Sequence, residues 1–242
     1  MARAPTGLID PTRWFAASYT VVARFPSGSI RPTARLATSL EKRNKATGEV
    51  TYAHQLLGAA IVHPNLREVI PLAPEPIVKQ DGTSKNDCER NAAKRLLRKI
   101  RAEHPHLKFL VIEDGLASNG PHIEEILSLG MDYLLGAKPG DHKFLFDQVI
   151  EAHDAKRIAT IKGTTIDGNR YDITFVNGLM LNESHRHLEV NFLQYHEYDA
   201  ADRVVKQFSW VTNLKITRDN APSLVAGGAA VAGRSRTRPS KH

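Results

Sequence analysis

The stretch Leu107-Lys-Phe-Leu-Val-Ile-Glu113-Asp114-Gly-Leu-Ala-Ser118-Asn-Gly-Pro121 reads as a strand, a turn and the start of a helix. An apolar run of strand length ends at two carboxylates and a glycine. Ser118, Asn119 and Pro121 then supply the cap and first turn of a helix continuing through Ile123, Ile126 and Leu127. An aspartate closing a buried strand stands in the crevice where α/β sheets hold their ligands. Its carboxylate is there available to a hard divalent cation such as Mg²⁺. Side chains alternate along a strand, so Glu113 points the other way and reads as structural or supporting.

Outward from that stretch the pattern repeats. Asn86 or Asp87 caps a helix running to about His104, its apolar stripe formed by Cys88, Ala92, Ala93, Leu96, Leu97 and Ile100. Residues 131–135 form a second short strand, and Gly136-Ala-Lys-Pro-Gly-Asp141 turns into a helix from about His142 to His153. Strand and helix alternating over 85–153 predict an α/β fold with a parallel half-sheet and crossover helices.

Before this half-sheet, residues 15–22, 48–63 and 68–72 read as strands of an antiparallel start. Residues 23–45, broken by Pro26, Gly28 and Pro32, show no sustained period. From Arg157 the style turns all-β through residue 217, with a turn at Asp167-Gly-Asn169. Residues 1–14 read as a poorly ordered start. Asp219-Asn-Ala-Pro-Ser looks like a helix start, but the following Ala226-Gly-Gly-Ala-Ala-Val-Ala-Gly and basic end carry no core pattern. The division expected is therefore a core over 15–225 and a disordered basic tail over 226–242.

The chain has 242 residues, 41% of them hydrophobic, enough for one sizeable core. No segment approaches the ~18 consecutive apolar residues of a membrane span, and the first residues hold no signal-peptide core. A single cysteine, Cys88, excludes an internal disulfide framework and a multi-cysteine zinc site. A cytoplasmic protein with no membrane partner is the expectation. The net charge is +7, but Arg234, Arg236, Arg238 and Lys241 carry four of those charges, leaving +3 on the other 225 residues. Charge alone is weak support for a polyanion partner. No Walker or Gly-x-Gly-x-x-Gly phrase points to a nucleotide cofactor.

Six phrases together resemble the DDE transposases of bacterial insertion sequences, the cut-and-paste group with a ribonuclease-H-like catalytic domain. They are Tyr52-Ala-His-Gln-Leu-Leu-Gly-Ala-Ala-Ile-Val-His-Pro64, Glu68-Val-Ile-Pro-Leu-Ala-Pro-Glu-Pro76, Lys85-Asn-Asp-Cys-Glu-Arg-Asn-Ala92, Glu113-Asp-Gly-Leu-Ala-Ser-Asn-Gly-Pro121, Gly136-Ala-Lys-Pro-Gly-Asp-His142 and Ser209-Trp-Val-Thr-Asn-Leu214. The resemblance covers about three-quarters of the chain. It implies a ribonuclease-H-like mixed sheet with crossover helices, a β-rich insertion over 157–217 and a final helix. The implied activity is DNA transposition, in which two Asp and one Glu hold two Mg²⁺ ions about 3.5–4 Å apart for strand cleavage and strand transfer. DNA, as element ends and target, is the implied partner, with a homodimer possible.

Carried onto this chain, the second Asp is Asp114, as catalytic residue and metal ligand. The first Asp is expected directly after Tyr19-Thr-Val-Val22, where Ala23-Arg-Phe25 stands instead. The Glu is expected in an Arg-Trp-x-x-Glu-Asn-like helix after residues 213–220, where the odd tail lies. That tail is compatible with a shifted reading frame. Ala229–Gly233 written GCG GCG GTG GCG GGT and read one nucleotide later gives Arg-Arg-Trp-Arg. Residues 235–241 written TCG AGA ACG AGG CCT TCA AAA and read two nucleotides later give Glu-Asn-Glu-Ala-Phe-Lys. The expectation is a degenerate transposase remnant whose final catalytic helix is missing and which has little or no phosphoryl-transfer activity. The alternative is a non-catalytic DNA-binding or dimerising protein that interferes with intact transposase.

Other residues have competing readings. Lys138 follows a strand on the same sheet edge as Asp114 and either meets a DNA phosphate or is a solvated loop lysine; His142 and Lys143 share that choice. Asp81-Gly-Thr83 imitates the missing first motif but reads as a turn. Asp87 and Glu89 read as a cap and a first-turn charge. The histidines at 185, 187 and 196 lack zinc-site spacing and read as surface or packing residues.

Overall fold

A computed structural model describes residues 13–24, 39–43, 47–48, 50–62, 68–78 and 85–234. Among them are eleven strands and four α-helices in a mixed α/β arrangement with parallel and antiparallel pairs. The chain divides into two units, residues 17–61 with 69–106, and residues 1–16, 62–68 and 107–242.

In the unit of residues 17–61 and 69–106, β1 (Arg13–Arg24), β2 (Ser39–Arg43) and β3 (Val50–Val62) order as β2-β3-β1. The stretch 23–45, expected to be irregular, contains β2, antiparallel to β3 with Leu40 opposite Ala53. The pairing comes from β3, which is long enough to recruit partners that show no pattern of their own. Two further short strands, β4 (Val69–Pro71) and β5 (Glu75–Ile77), also pair with β3. Helix α1 (Lys85–Glu103) buries Ala92, Ala93, Leu96, Leu97 and Ile100, the stripe read from the sequence. Arg95 ties it to β5, its Nε donating to Glu75 Oε1 at 2.6 Å and its Nη2 to the Pro76 carbonyl at 2.9 Å. Asp81-Gly-Thr83 and the side chains of Asp87 and Cys88 lie outside the described residues.

The other unit starts with β6 (Lys108–Glu113), α2 (Gly120–Ser128), β7 (Asp132–Gly136) and α3 (Lys143–Asp154). Strands β6 and β7 are parallel, Ile112 opposite Leu134, as a strand–helix–strand crossover requires. The all-β block then adds β8 (Ala159–Thr164), β9 (Arg170–Met180), β10 (Glu189–Tyr198) and β11 (Val204–Thr212). It continues the same sheet, in the order β6-β7-β11-β10-β9-β8, with β11 antiparallel to β7. The β-hairpin between β8 and β9 turns at Gly168, whose φ of 85° suits glycine.

One expectation is overturned here. Residues 226–234 are not a disordered tail: a helix, α4, spans Ala221–Arg234. Alanine-rich sequence is a strong helix former, and the apolar side chains come at helical spacing once Leu224 and Val225 are counted. Leu224 is 1% exposed, in a core cluster with Leu110, Ile112, Leu134, Leu193, Trp210 and Ile216. Gly228 lies against the Trp210 indole, where a Cβ would stand 2.6 Å from ring carbon. The sheet surface that a lost helix would have left bare is therefore covered. Residues 235–242 lie outside the described residues.

Candidate functional site

Asp114 follows β6 directly. Leu110 and Ile112 face the core cluster that contains α4's Ala221, Leu224 and Val225, so by alternation position 114 belongs to the α4 face. Glu113 belongs to the other face, as its parity predicts. There its Oε2 meets His122 Nε2 at 2.5 Å, the two side chains 5% and 2% exposed. That burial makes the pair a fixed tie between the strand end and α2 rather than a reactive group.

The Asp114 side chain is exposed, and its Oδ1 accepts the Leu116 N–H at 3.0 Å. This Asx turn begins the loop, and the Asp114 carbonyl accepts the Ala117 N–H at 3.1 Å. Asn119 is the α2 cap, its Oδ1 accepting the His122 N–H at 3.2 Å, and Pro121 sits in the first turn. In the motif Ser118-Asn-Gly-Pro121, Asn119 and Pro121 thus act as the sequence implied, whereas the buried Ser118 hydroxyl bonds none of the described residues. The motif's glycine has a further cause: the His185 ring packs on Gly120, where a Cβ would stand 2.4 Å away.

The second loop, residues 136–142, lies beside the first. A Cβ on Gly136 would stand 2.9 Å from Gly115 N, so only glycine lets the two backbones approach. A Cβ on Gly115 would stand 4.0 Å from Lys138 Cγ, which places Lys138 at the Asp114 edge. Lys138 and Lys143 are exposed. His142 is not. Its Nε2 donates to the Ser118 carbonyl at 2.9 Å and its Nδ1 accepts the Lys138 N–H at 3.3 Å. A buried ring with both nitrogens engaged straps the two loops together, which corrects its reading as a DNA contact.

Helix α4 approaches this edge from the far end of the sheet. Gly228 abuts Trp210, Trp210 pairs with Gly136, and Gly136 abuts the Asp114–Gly115 backbone. From Ala221 to Gly228 the axis rises about 10 Å, so the helix's later turns lie at the Asp114 end. Its sequence, Ala-Pro-Ser-Leu-Val-Ala-Gly-Gly-Ala-Ala-Val-Ala-Gly-Arg, contains no carboxylate. Among the described residues no group of three or more His, Cys, Asp or Glu could hold a metal ion. One exposed aspartate, half engaged in a turn, does not make a two-metal site.

Sequence reasoning passed over two polar anchors. Asn213 clamps the start of β7, its Nδ2 donating to Asp132 Oδ1 at 2.6 Å and its Oδ1 accepting the Tyr133 N–H at 3.0 Å. Its place in Ser209-Trp-Val-Thr-Asn-Leu214 was visible, its role was not. Glu197 is buried in the β block among Asn169, Tyr195 and Lys206, at 2.7, 2.9 and 2.9 Å. Burial raises its pKa, but those hydrogen bonds and the Lys206 charge outweigh burial and leave it below the usual value. The remaining histidines behave as surface or packing groups: His187 pairs with Glu124 at 2.8 Å in the open, and burial lowers the His196 pKa against the opposing charge of Asp172. An open cleft of about 420 Å³ between α3 and the outer face of β8–β10, lined by Ile150, Lys162, Asp172 and Phe192 among others, contains none of the Asp114 loop.

No protein-family model and no curated protein matches the chain. Among solved structures it is similar to the NurA nuclease from Sulfolobus solfataricus, with 7% identity over 93% of this chain and 73% of that one. The TM-score of 0.37 is too low for that likeness to place the fold. No helix among the described residues is long and apolar enough to cross a membrane.

Proposed function

We propose that this chain is a DDE-transposase relative of ribonuclease-H-like fold whose DNA strand-cleavage site is dismantled. The observation that carries the reading is that Asp114 and α4 share one face of the sheet. An aspartate closes the first of two parallel strands and faces the side of the sheet that the last helix crosses, yet that helix supplies no acid. In the transposase chemistry two Asp and a Glu share two Mg²⁺ ions. The described residues at the Asp114 edge do not supply that set, so no cleavage step is assigned to them. What the edge retains is the exposed pair Lys138 and Lys143, suited to sequence-independent phosphate contacts.

Two experiments separate kinship from activity. The gene's nucleotide sequence tests kinship: off-frame codons after residue 228 spelling the Arg-Trp and Glu-Asn phrases support it, and codons incompatible with those readings remove the frameshift account. Purified protein mixed with element-end DNA tests the second part. Salt-dependent binding that weakens in Lys138→Ala and Lys143→Ala, without Mg²⁺-dependent or Mn²⁺-dependent nicking, is the expected result. Robust nicking would overturn it.

A further inference from the structure

Among the described residues β8 ends the sheet, and its hydrogen-bonding pattern fixes which backbone groups face outward. In the hairpin, Thr165 N–H donates to the Asn169 carbonyl at 2.8 Å. Antiparallel pairs alternate between bonded and non-bonded, and the β8–β9 register runs without a shift from Thr164↔Arg170 to Ala159↔Phe175. Residues 163, 161 and 159 therefore exchange bonds with β9, while Thr160, Lys162 and Thr164 turn their N–H and C=O groups away from it. Those groups form a ready template for another strand.

One of them is occupied. Arg218 Nη1 donates to the Thr160 carbonyl at 3.1 Å. Arg218 is held there by a tightly bonded loop. Asn177 Nδ2 donates to the Ile216 carbonyl and its Oδ1 accepts the Ile216 N–H, both at 2.9 Å, while Asn220 Oδ1 accepts the Thr217 N–H at 2.8 Å. A guanidinium on that carbonyl takes the acceptor an incoming strand would need. Lys162 adds a second obstacle, because two β8 strands pairing about a two-fold axis centred there would set two lysines side by side.

We infer that Arg218 is an edge guard: it keeps the free edge of β8 from pairing with the same edge of a second copy of this chain. The experiment compares the full-length protein with Arg218→Ala and Arg218→Lys by sedimentation velocity across a concentration series, with hydrogen exchange read at Thr160, Lys162 and Thr164. Arg218→Ala lowers the concentration at which the protein self-associates by about fivefold to tenfold, and slows exchange at the three outward amides in the associated form. Arg218→Lys, which keeps a donor and a charge, stays close to the parent. Adding Lys162→Pro to Arg218→Ala restores the parent behaviour, since an outward N–H is lost without breaking the β8–β9 ladder; Thr164→Pro serves if that variant does not fold. A folded Arg218→Ala that associates no more than the parent overturns the inference. So does association that neither proline suppresses, because β8 would then not be the surface used.

Discussion

Leu224→Ala tests whether α4 is part of the core. The substitution removes three carbons from a side chain that is 1% exposed among Leu110, Ile112, Leu134 and Trp210. At about 0.8 kcal/mol for each buried methylene-sized group, the transfer term is roughly 2.4 kcal/mol. A residual void of roughly 40 Å³ adds about 1 kcal/mol at about 24 cal/mol per Å³. The expected loss is thus about 3.5 kcal/mol, which for a chain of this size lowers Tm by about 7–14 °C. Urea unfolding followed by tryptophan fluorescence reads it, with Trp210 in the same cluster as a local probe. Ala226→Ser, at an exposed position of the same helix, should stay within about 0.5 kcal/mol of the parent. A Leu224→Ala loss below about 1 kcal/mol would refute the packed helix and return residues 221–234 to the status of a tail.

Two further outcomes follow from the loops and the β block. Gly136→Ala drives a Cβ to 2.9 Å from the Gly115 backbone nitrogen, a clash that no rotamer change relieves; thermal unfolding should show a loss of about 1–3 kcal/mol. Glu197→Gln leaves Asn169 and Lys206 donors facing an amide nitrogen or a weaker acceptor, at a cost of about 1–3 kcal/mol at pH 7. Because the folded Glu197 pKa lies below its unfolded value, its contribution is complete above the unfolded pKa and fades as pH falls through the folded one. The gap between parent and Glu197→Gln in urea titrations should therefore narrow on acidification below about pH 4.5 and stay constant above it; a gap that widens in acid would contradict the sign.

The elements around Asp114 were legible because each carries its own local signal. The apolar run before Glu113 and the Asn119 cap yield their elements from nearest neighbours in sequence, and so, in the other unit, does the Ala92–Leu96–Ile100 stripe. Two elements were not, for different reasons. Strand β2 takes its conformation from pairing with β3, so nothing in Ser39–Arg43 announces it. Helix α4 hides its amphipathicity behind glycine and alanine, and the fit of Gly228 under Trp210 is a tertiary fact that no periodicity reports. At the site, the Asp114 strand end and its turn were readable. The burial of His142 was not, since it depends on a carbonyl 24 residues away. The Glu113–His122 pair could have been inferred from strand parity and an early helical histidine, but its partner choice needs the packed β6–α2 connection.

The central claim concerns one carboxylate that no acidic partner joins among the described residues, and the most direct test replaces it by its isostere. Asp114→Asn retains the Oδ1 that accepts the Leu116 N–H, so the loop keeps its turn while the charge is lost. Parent and Asp114→Asn are incubated side by side with supercoiled DNA carrying the element ends, in Mg²⁺ and in Mn²⁺, and nicked product is measured over time. The account predicts the same background rate for both proteins. Metal-dependent nicking by the parent that disappears in Asp114→Asn would contradict it.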